Sequence, residues 1–240
     1  MEIRLQDYSN VGLATSLPEL QNQLVRMAER MEFGLVSAAL LKGAFDAPDV
    51  VIRSVGNTPA AFLEISRNLD QARTDPVLHR LMKSSVPLIY DQKLYADAGA
   101  GDLWEEQAPF GYCTGIAVGL HLPNNRHFLL GVDRPKNLPR SESKLTRMVA
   151  DLQLLAVHAQ YAAQQIFDKG LDAPEPKPSL TPRELECLRW TMDGKSAYVT
   201  GQILSISASA VNFHLQNAMR KLDVASKHQA VLKCVNLGIL

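Results

Sequence analysis

From Ser179 to Leu240, helix caps and helix breakers recur wherever an apolar periodicity restarts, and that rhythm leaves room for little except four short helices. Thr181 reads as an N-cap, Pro182 fills the first helical position and Glu184 stands three residues after the cap. A first helix therefore opens on a capping box and runs to Gly194, with Leu185, Leu188 and Met192 as its apolar stripe. A second helix of about two turns fits Ser196 to Leu204, the run S-I-S interrupts it, and Ser207 caps a third. Two short helices joined by a tight turn make a helix-turn-helix.

The third helix is defined by what it leaves outside. Val211, Leu215, Ala218 and Leu222 recur at i, i+4, i+7 and i+11, a spacing that buries one stripe. Ser209, Asn212, Phe213, Gln216 and Arg220 then face outward. Such side chains suit the reading of base edges in a major groove, and they suit a plain solvated face equally well. Lys195, Lys221, Lys227 and Lys233 surround the helix as candidate phosphate contacts, which fix position without carrying sequence information.

Residue order decides between the two. Leu180, Thr181, Arg183, Glu184, Glu186, Leu188 and Trp190, then Gly194, Lys195 and Ser196, then Ile203, Leu204 and Ser207, and last Val211, His214, Asn217, Lys221 and Leu222 stand in the register of a known signature. The block resembles the LuxR-type helix-turn-helix. That resemblance implies a transcriptional regulator that binds double-stranded DNA as a homodimer, on two-fold related half-sites. Val199, Thr200 and Gly201 depart from the pattern, which has Glu, an apolar residue and Ala there, and Ala210 replaces its usual Thr. Glycine inside a helix costs about 1 kcal/mol relative to Ala, so a softer second helix is expected.

Charge is distributed to match. Seven Lys/Arg stand against four Asp/Glu from Ser179 onward, and eighteen against twenty-one before it, so the C-terminal part is the basic one. Cys113, Cys187 and Cys234, odd in number and set among apolar residues, predict reduced thiols in a cytoplasmic protein. Apolar runs such as Leu35 to Leu41 are too short to span a membrane, and no signal peptide is legible. His79, His121, His127 and His158 lack metal-ligand spacing with one another or with the cysteines. No nucleophile-base arrangement has a supporting motif, so no metal, cofactor or catalytic residue is expected.

The rest of the chain reads as a sheet flanked by helices. A helix is expected over Leu17 to Met31, strands over Phe33 to Leu41 and Val50 to Val55, and helices opening at Pro59 and at Asp75-Pro76. Pro87 to Tyr90 is extended, a glycine-rich loop surrounds Gly99 and Gly101, and a helix starts at Trp104. Thr114 to Leu122 and His127 to Val132 form a hairpin turning at Pro123 to Asn125. One long helix spans Ser141 to Phe167, with an apolar side wide enough for both a core and a partner subunit; Leu152 and Leu155 are its expected outward positions. The run D-A-P-E-P-K-P is a semi-rigid linker. The expected class is α+β: a regulatory and dimerisation domain over 1–168, a linker over 169–178 and the helix-turn-helix domain over 179–240.

The N-terminal order, with Pro59, Asp75-Pro76, W-E-E-Q-A-P-F-G from Trp104 and Gly115, resembles the acyl-homoserine-lactone-binding domain of LuxR-type receptors, an α-β-α sandwich around an antiparallel sheet. In that family a Trp N–H, a Tyr hydroxyl, an Asp and a Ser or Thr on a central strand hold the lactone. The resemblance puts Phe62 at the Trp, Ser66 at the Tyr, Tyr90 at a second Trp and Gly131 at the strand hydroxyl, and keeps only Asp75. Phe62 cannot donate, and Ser66 is too short to replace a phenol. Either Phe62, Tyr90, Trp104 and Phe110 fill the cavity as core, or the pocket is put to another use. The functional readings are correspondingly two: a DNA-binding dimer acting without ordinary lactones, mixed dimers with related regulators included, or a regulator gated by a lactone or another small apolar signal.

Overall fold

The computed structural model describes residues 3–43, 50–65, 73–171 and 178–240. The chain divides into two units, Met1–Leu171 and Asp172–Leu240. The first begins with helices α1 (Leu5–Gly12) and α2 (Leu17–Arg30), the latter capped by Ser16. Strands β1 (Leu35–Lys42) and β2 (Val51–Gly56) follow, then α3 (Ala60–Ile65), α4 (Pro76–Leu81), β3 (Leu88–Tyr90), α5 (Gln92–Asp97) and α6 (Gly101–Gln107). The hairpin β4 (Thr114–Leu122) and β5 (Arg126–Arg134) leads to α7 (Glu142–Leu171). The strands form one five-stranded sheet in the order β2-β1-β5-β4-β3, and every neighbouring pair is antiparallel.

Alternation along the strands assigns the two faces. Val36, Ala38, Leu40, Ile116, Val118, Phe128, Leu130 and Val132 are buried against α1, α2 and α7. The intervening positions face α4, α5 and α6, and several are small: Ser37, Ala39, Gly115, Ala117, Gly119 and Gly131. The first face is a filled core, whereas the second cannot be filled by its own strands. This is an α-β-α sandwich with an antiparallel sheet.

Several expectations need correction. Leu152 and Leu155 are fully buried with Ala156, Ala159, Ala162 and Ala163, so they belong to the core; the large exposed apolar side chains of α7 are Leu154, Val157 and Tyr161. The broad stripe is explained by α1 and α2 packing on α7 beside the sheet, with Tyr8 Oη donating to Asp151 Oδ1 at 2.7 Å. Helix α7 also runs through Lys169 and Gly170 to Leu171. Glycine is only a mild breaker, and no proline intervenes before Pro174. Helices α1 and α5 were not legible; α5 is short and depends on Asp91, whose carboxylate accepts from Lys93 N and Leu94 N.

The second unit holds α8 (Pro182–Met192), α9 (Ala197–Leu204), α10 (Ala208–Lys221) and α11 (Lys227–Asn236). Thr181 and Glu184 form the predicted capping box, and Ser196 and Ser207 cap α9 and α10. Met192 is half exposed, and the buried stripe of α8 is Glu184, Cys187 and Leu188. Lys221 Nζ reaches Glu184 Oε2 at 2.8 Å while Thr181 N donates to the same oxygen at 2.7 Å, which ties the end of α10 to the start of α8.

Gly201 is not a soft spot. Ile206 N donates to Gly201 O at 2.9 Å as the chain turns through Ser205, whose φ is 56°. A Cβ on Gly201 would lie 2.6 Å from Ile206 O. The turn between α9 and α10 therefore packs onto the space a side chain would occupy, and backbone cannot yield as a side-chain tip does. Gly201→Ala is expected to destabilise the C-terminal unit by about 1–3 kcal/mol despite the better helix propensity of Ala; chemical denaturation showing equal or greater stability would refute the packing account.

Candidate ligand cavity and nucleic-acid interface

The small residues on the second face of the sheet leave a cavity of about 330 Å³. It lies between the sheet and α4 to α6, and Ser37, Ala39, Ala117, Leu129 and Gly131 form its floor. Asp75, Val77, Leu78 and Leu81 line it from α4, Tyr95 from α5, and Leu103 and Gln107 from α6. Phe62 and Tyr112 close one side, with ring centroids 4.7 Å apart.

Its polar groups come as linked sets. Tyr90, Gly115 and Asp133 are register partners on β3, β4 and β5. Because Gly115 has no side chain, Tyr90 Oη reaches across it to Asp133 Oδ1 at 2.6 Å; a Cβ there would lie 2.4 Å from the phenol oxygen. Asp75 caps α4, accepting from Val77 N at 2.7 Å and Leu78 N at 3.3 Å, and Tyr95 Oη donates to it at 3.4 Å. Tyr112 Oη donates to Thr58 Oγ1 at 3.0 Å, and both lie within reach of Ser37 Oγ. Gln107 approaches the Tyr95 phenol closely enough to favour its charge through a weak hydrogen-bonding interaction, although its buried Nε2 has no partner at full hydrogen-bond distance.

Burial governs the acids and phenols of this cavity. It pushes the Asp133 carboxyl up to about 7, with the Asp75 charge adding to the shift and the Tyr90 hydrogen bond opposing it. Burial raises Asp75 as well, against the pull of its two backbone amides and Tyr95. Tyr90, held beside Asp133, titrates well above an ordinary phenol, chiefly through desolvation.

In the second unit, Ser209, Asn212, Phe213, Gln216 and Arg220 are all exposed along one side of α10, while Val211, Leu215 and Ala218 are buried opposite. Phe213 is 60% exposed and meets His214 edge-on. Lys195, just before the cap of α9, and Lys227, the first residue of α11, are both exposed. Lys221 is paired with Glu184, and Lys233 Nζ donates to Leu222 O at 2.8 Å, so both brace the unit.

Two family models match: residues 16–163 match the autoinducer binding domain, and residues 178–234 match the bacterial regulatory proteins of the luxR family. The chain belongs to the LuxR family of quorum-sensing transcriptional regulators. It is 31% identical over 190 residues to the quorum-sensing regulator RhlR of Pseudomonas aeruginosa, covering 77% of this chain and 75% of that one. It is likewise 31% identical to the HTH-type regulator y4qH of Sinorhizobium fredii, of whose length it spans 56%. The crystal structure of Escherichia coli SdiA matches with a TM-score of 0.72 at 26% identity, over 96% of this chain and 94% of that one. SdiA in complex with octanoyl-rac-glycerol matches at 0.73 and 25% identity, over 98% and 97%. The family is one of regulators, not of enzymes.

For this LuxR-family chain the cavity is open, so of the two readings of these aromatic residues the filled core does not hold. Trp104 and Phe110 do not line it: the indole Nε1 donates to Cys113 O at 3.1 Å, and Phe110 packs on Phe62 at 5.4 Å between ring centroids. Phe62, Asp75, Tyr90 and Gly131 do line it, and Ser66 lies outside the described residues. The sequence reading missed Ser37, Thr58, Tyr95, Gln107, Tyr112 and Asp133, of which only Asp133 carried a signal, as an acid two residues beyond Gly131 on a strand with a buried face. His121 and His127 also meet across the hairpin, Nδ1 to Nδ1 at 2.8 Å, although their spacing showed no metal pattern; no group of three or more metal-binding side chains occurs among the described residues. No described helix is long and apolar enough to cross a membrane.

The raised Asp133 carboxyl makes stability depend on pH. In the unfolded chain the carboxyl ionises near 3.8, and in the folded protein it holds its proton until about 7. Between those values the native state binds the extra proton, so this group lowers stability as pH rises. Asp133→Asn keeps an acceptor for Tyr90 and removes the titration. Thermal unfolding is expected to show the variant gaining on the unaltered protein from pH 4 to pH 7 and levelling off above that; a constant difference across the range would contradict a buried, late-ionising Asp133.

Proposed function

We propose that this LuxR-family regulator binds DNA sequence-specifically through α10 as a homodimer, and that it does so without depending on ordinary acyl-homoserine lactones. The observation that carries the first half is the exposed row Ser209, Asn212, Phe213, Gln216 and Arg220, set by a buried stripe on the opposite side of the helix. Each copy would lay α10 in a major groove on one of two related half-sites, with Lys195 and Lys227 against phosphate. Lys221 would contribute through the protons it does not give Glu184. Leu154, Val157 and Tyr161 are the exposed apolar side chains of α7 available to a second copy, identical or from a related regulator. The N-terminal unit acts as the regulatory part and the C-terminal unit as the DNA-binding part.

The cavity supports the second half. A lactone brings acceptors at its ring and acyl carbonyls and a single donor at its amide. At the positions where the family supplies donors, Phe62 offers a hydrocarbon ring and Gly131 no side chain. Each buried carbonyl left unpaired costs about 1–3 kcal/mol. The cavity nonetheless exists, and a relative of similar fold, SdiA, holds octanoyl-glycerol, an amphiphile without a lactone ring. This favours a site retained for a different ligand over a site lost.

Two measurements bear on these readings. Asn212→Ala or Gln216→Ala is expected to lower affinity for the preferred operator by about 1–3 kcal/mol and relax preference at one base step, while Lys195→Ala weakens all sequences alike and flattens the salt dependence. Indifference of binding to Asn212, Phe213 and Gln216 on every DNA tested would remove base reading from α10. Protein produced without lactone is expected to be soluble and to bind its operator; a sub-micromolar Kd for any acyl-homoserine lactone by calorimetry, coupled to gained DNA binding, would overturn the independence reading.

A further inference from the structure

The buried acids of the cavity are mismatched to a ligand whose head is only an acceptor. Asp75, Glu106 and Asp133 all line the cavity, and no Lys, Arg or His is among its described lining residues. Asp133 is 2% exposed, and Tyr90 donates to its Oδ1. Asp75 spends its Oδ1 on the α4 cap and Tyr95. Buried carboxylates in proteins are paired with a cation or pushed toward the neutral form, and no counter-ion is supplied by the described lining of this cavity. The third element is independent of the acids. Gln107, which lines the same cavity, is 6% exposed, and apart from its approach to the Tyr95 phenol its Nε2 has no partner at hydrogen-bond distance, so it has a donor to offer an oxygen.

We propose that the cavity binds an apolar amine in its protonated form, its ammonium set against Asp133 and Asp75 and an oxygen near the nitrogen accepting from Gln107. An ammonium is donor-only and carries the charge the carboxyls lack, and a carbonyl or hydroxyl a few bonds away meets the unpaired amide. The hydrocarbon remainder lies on Val77, Leu78, Leu81, Leu103 and Leu129. An uncharged diol head would satisfy the acceptors and leave the charge uncompensated; a lactone would present carbonyls to carboxyls. The proposal rests on the reading that this cavity is a ligand site other than a lactone receptor.

The test compares four heads on one octanoyl chain, by calorimetry on the full-length protein: N-(2-aminoethyl)octanamide, its N-acetylated neutral form, octanoyl-glycerol and octanoyl-homoserine lactone. The amine is expected to bind with a micromolar Kd, and acetylation to weaken it at least about tenfold, the effect of one lost charge-assisted contact. Asp133→Asn should weaken the amine by a similar factor. The titratable groups that feel Asp133 are Tyr90, Tyr95, Tyr112, Cys113 and Asp75; the phenols and the thiol, raised by burial, stay neutral through this range. Amine affinity should therefore rise about tenfold from pH 6 to pH 8, as the carboxyl ionises around its value of about 7. Equal binding of the acetylated compound, or a tighter octanoyl-glycerol, overturns the amine proposal and leaves the ligand-site reading standing. A tighter lactone overturns both, and since the acetylation comparison uses the unaltered protein, it decides the matter even where Asp133→Asn fails to fold.

Discussion

Side-chain size on one face of a sheet sets the character of the N-terminal unit. Alternate positions of β1, β4 and β5 point in opposite directions, and one set is large and aliphatic while the other runs through Ser37, Ala39, Gly115, Ala117 and Gly131. The large set gives α1, α2 and α7 a continuous apolar surface on which to pack. The small set stops short of α4, α5 and α6, and the gap is the cavity. A fold stabilised on one side of its sheet can thus leave the other side for recognition, since the burial supporting the unit is concentrated in the filled layer.

The C-terminal unit was legible almost residue by residue, because its information is local. Caps, the proline after Thr181 and the four-residue spacing of the apolar stripe specify each helix from within a few positions, and Thr181, Ser196 and Ser207 accept amide hydrogen bonds at the three helix starts read from the sequence. The strands and hairpin of the first unit were legible for the same reason. What escaped is non-local. That Leu152 and Leu155 face inward follows from α1 and α2 covering α7, which no window of the sequence contains. Tyr95, Tyr112 and Gln107 meet in one cavity from separate elements, and each looks ordinary in its own segment. Gly201 was misread because helix propensity concerns the helix alone, whereas its constraint comes from the turn that follows.

The position-by-position resemblance was informative about what is missing and silent about what replaces it. Phe62 and Gly131 both line the cavity. The compensating polar groups, Asp133 with Tyr90 and the Tyr112–Thr58–Ser37 cluster, arise from other strands and loops. Their chemistry differs in kind: carboxyls and phenols already engaged with one another, plus one unengaged amide, in place of donors pointed at carbonyls.

Gly115 shows how such a site is kept. It touches no ligand-facing space of its own, yet the bond from Tyr90 to Asp133 passes through the volume its side chain would fill. Any residue larger than glycine there must displace the phenol or the carboxyl and so break the bond between them. The three positions, one on each of three adjacent strands, are consequently interdependent: a side chain at Gly115 has room only where the Tyr90–Asp133 pair is absent.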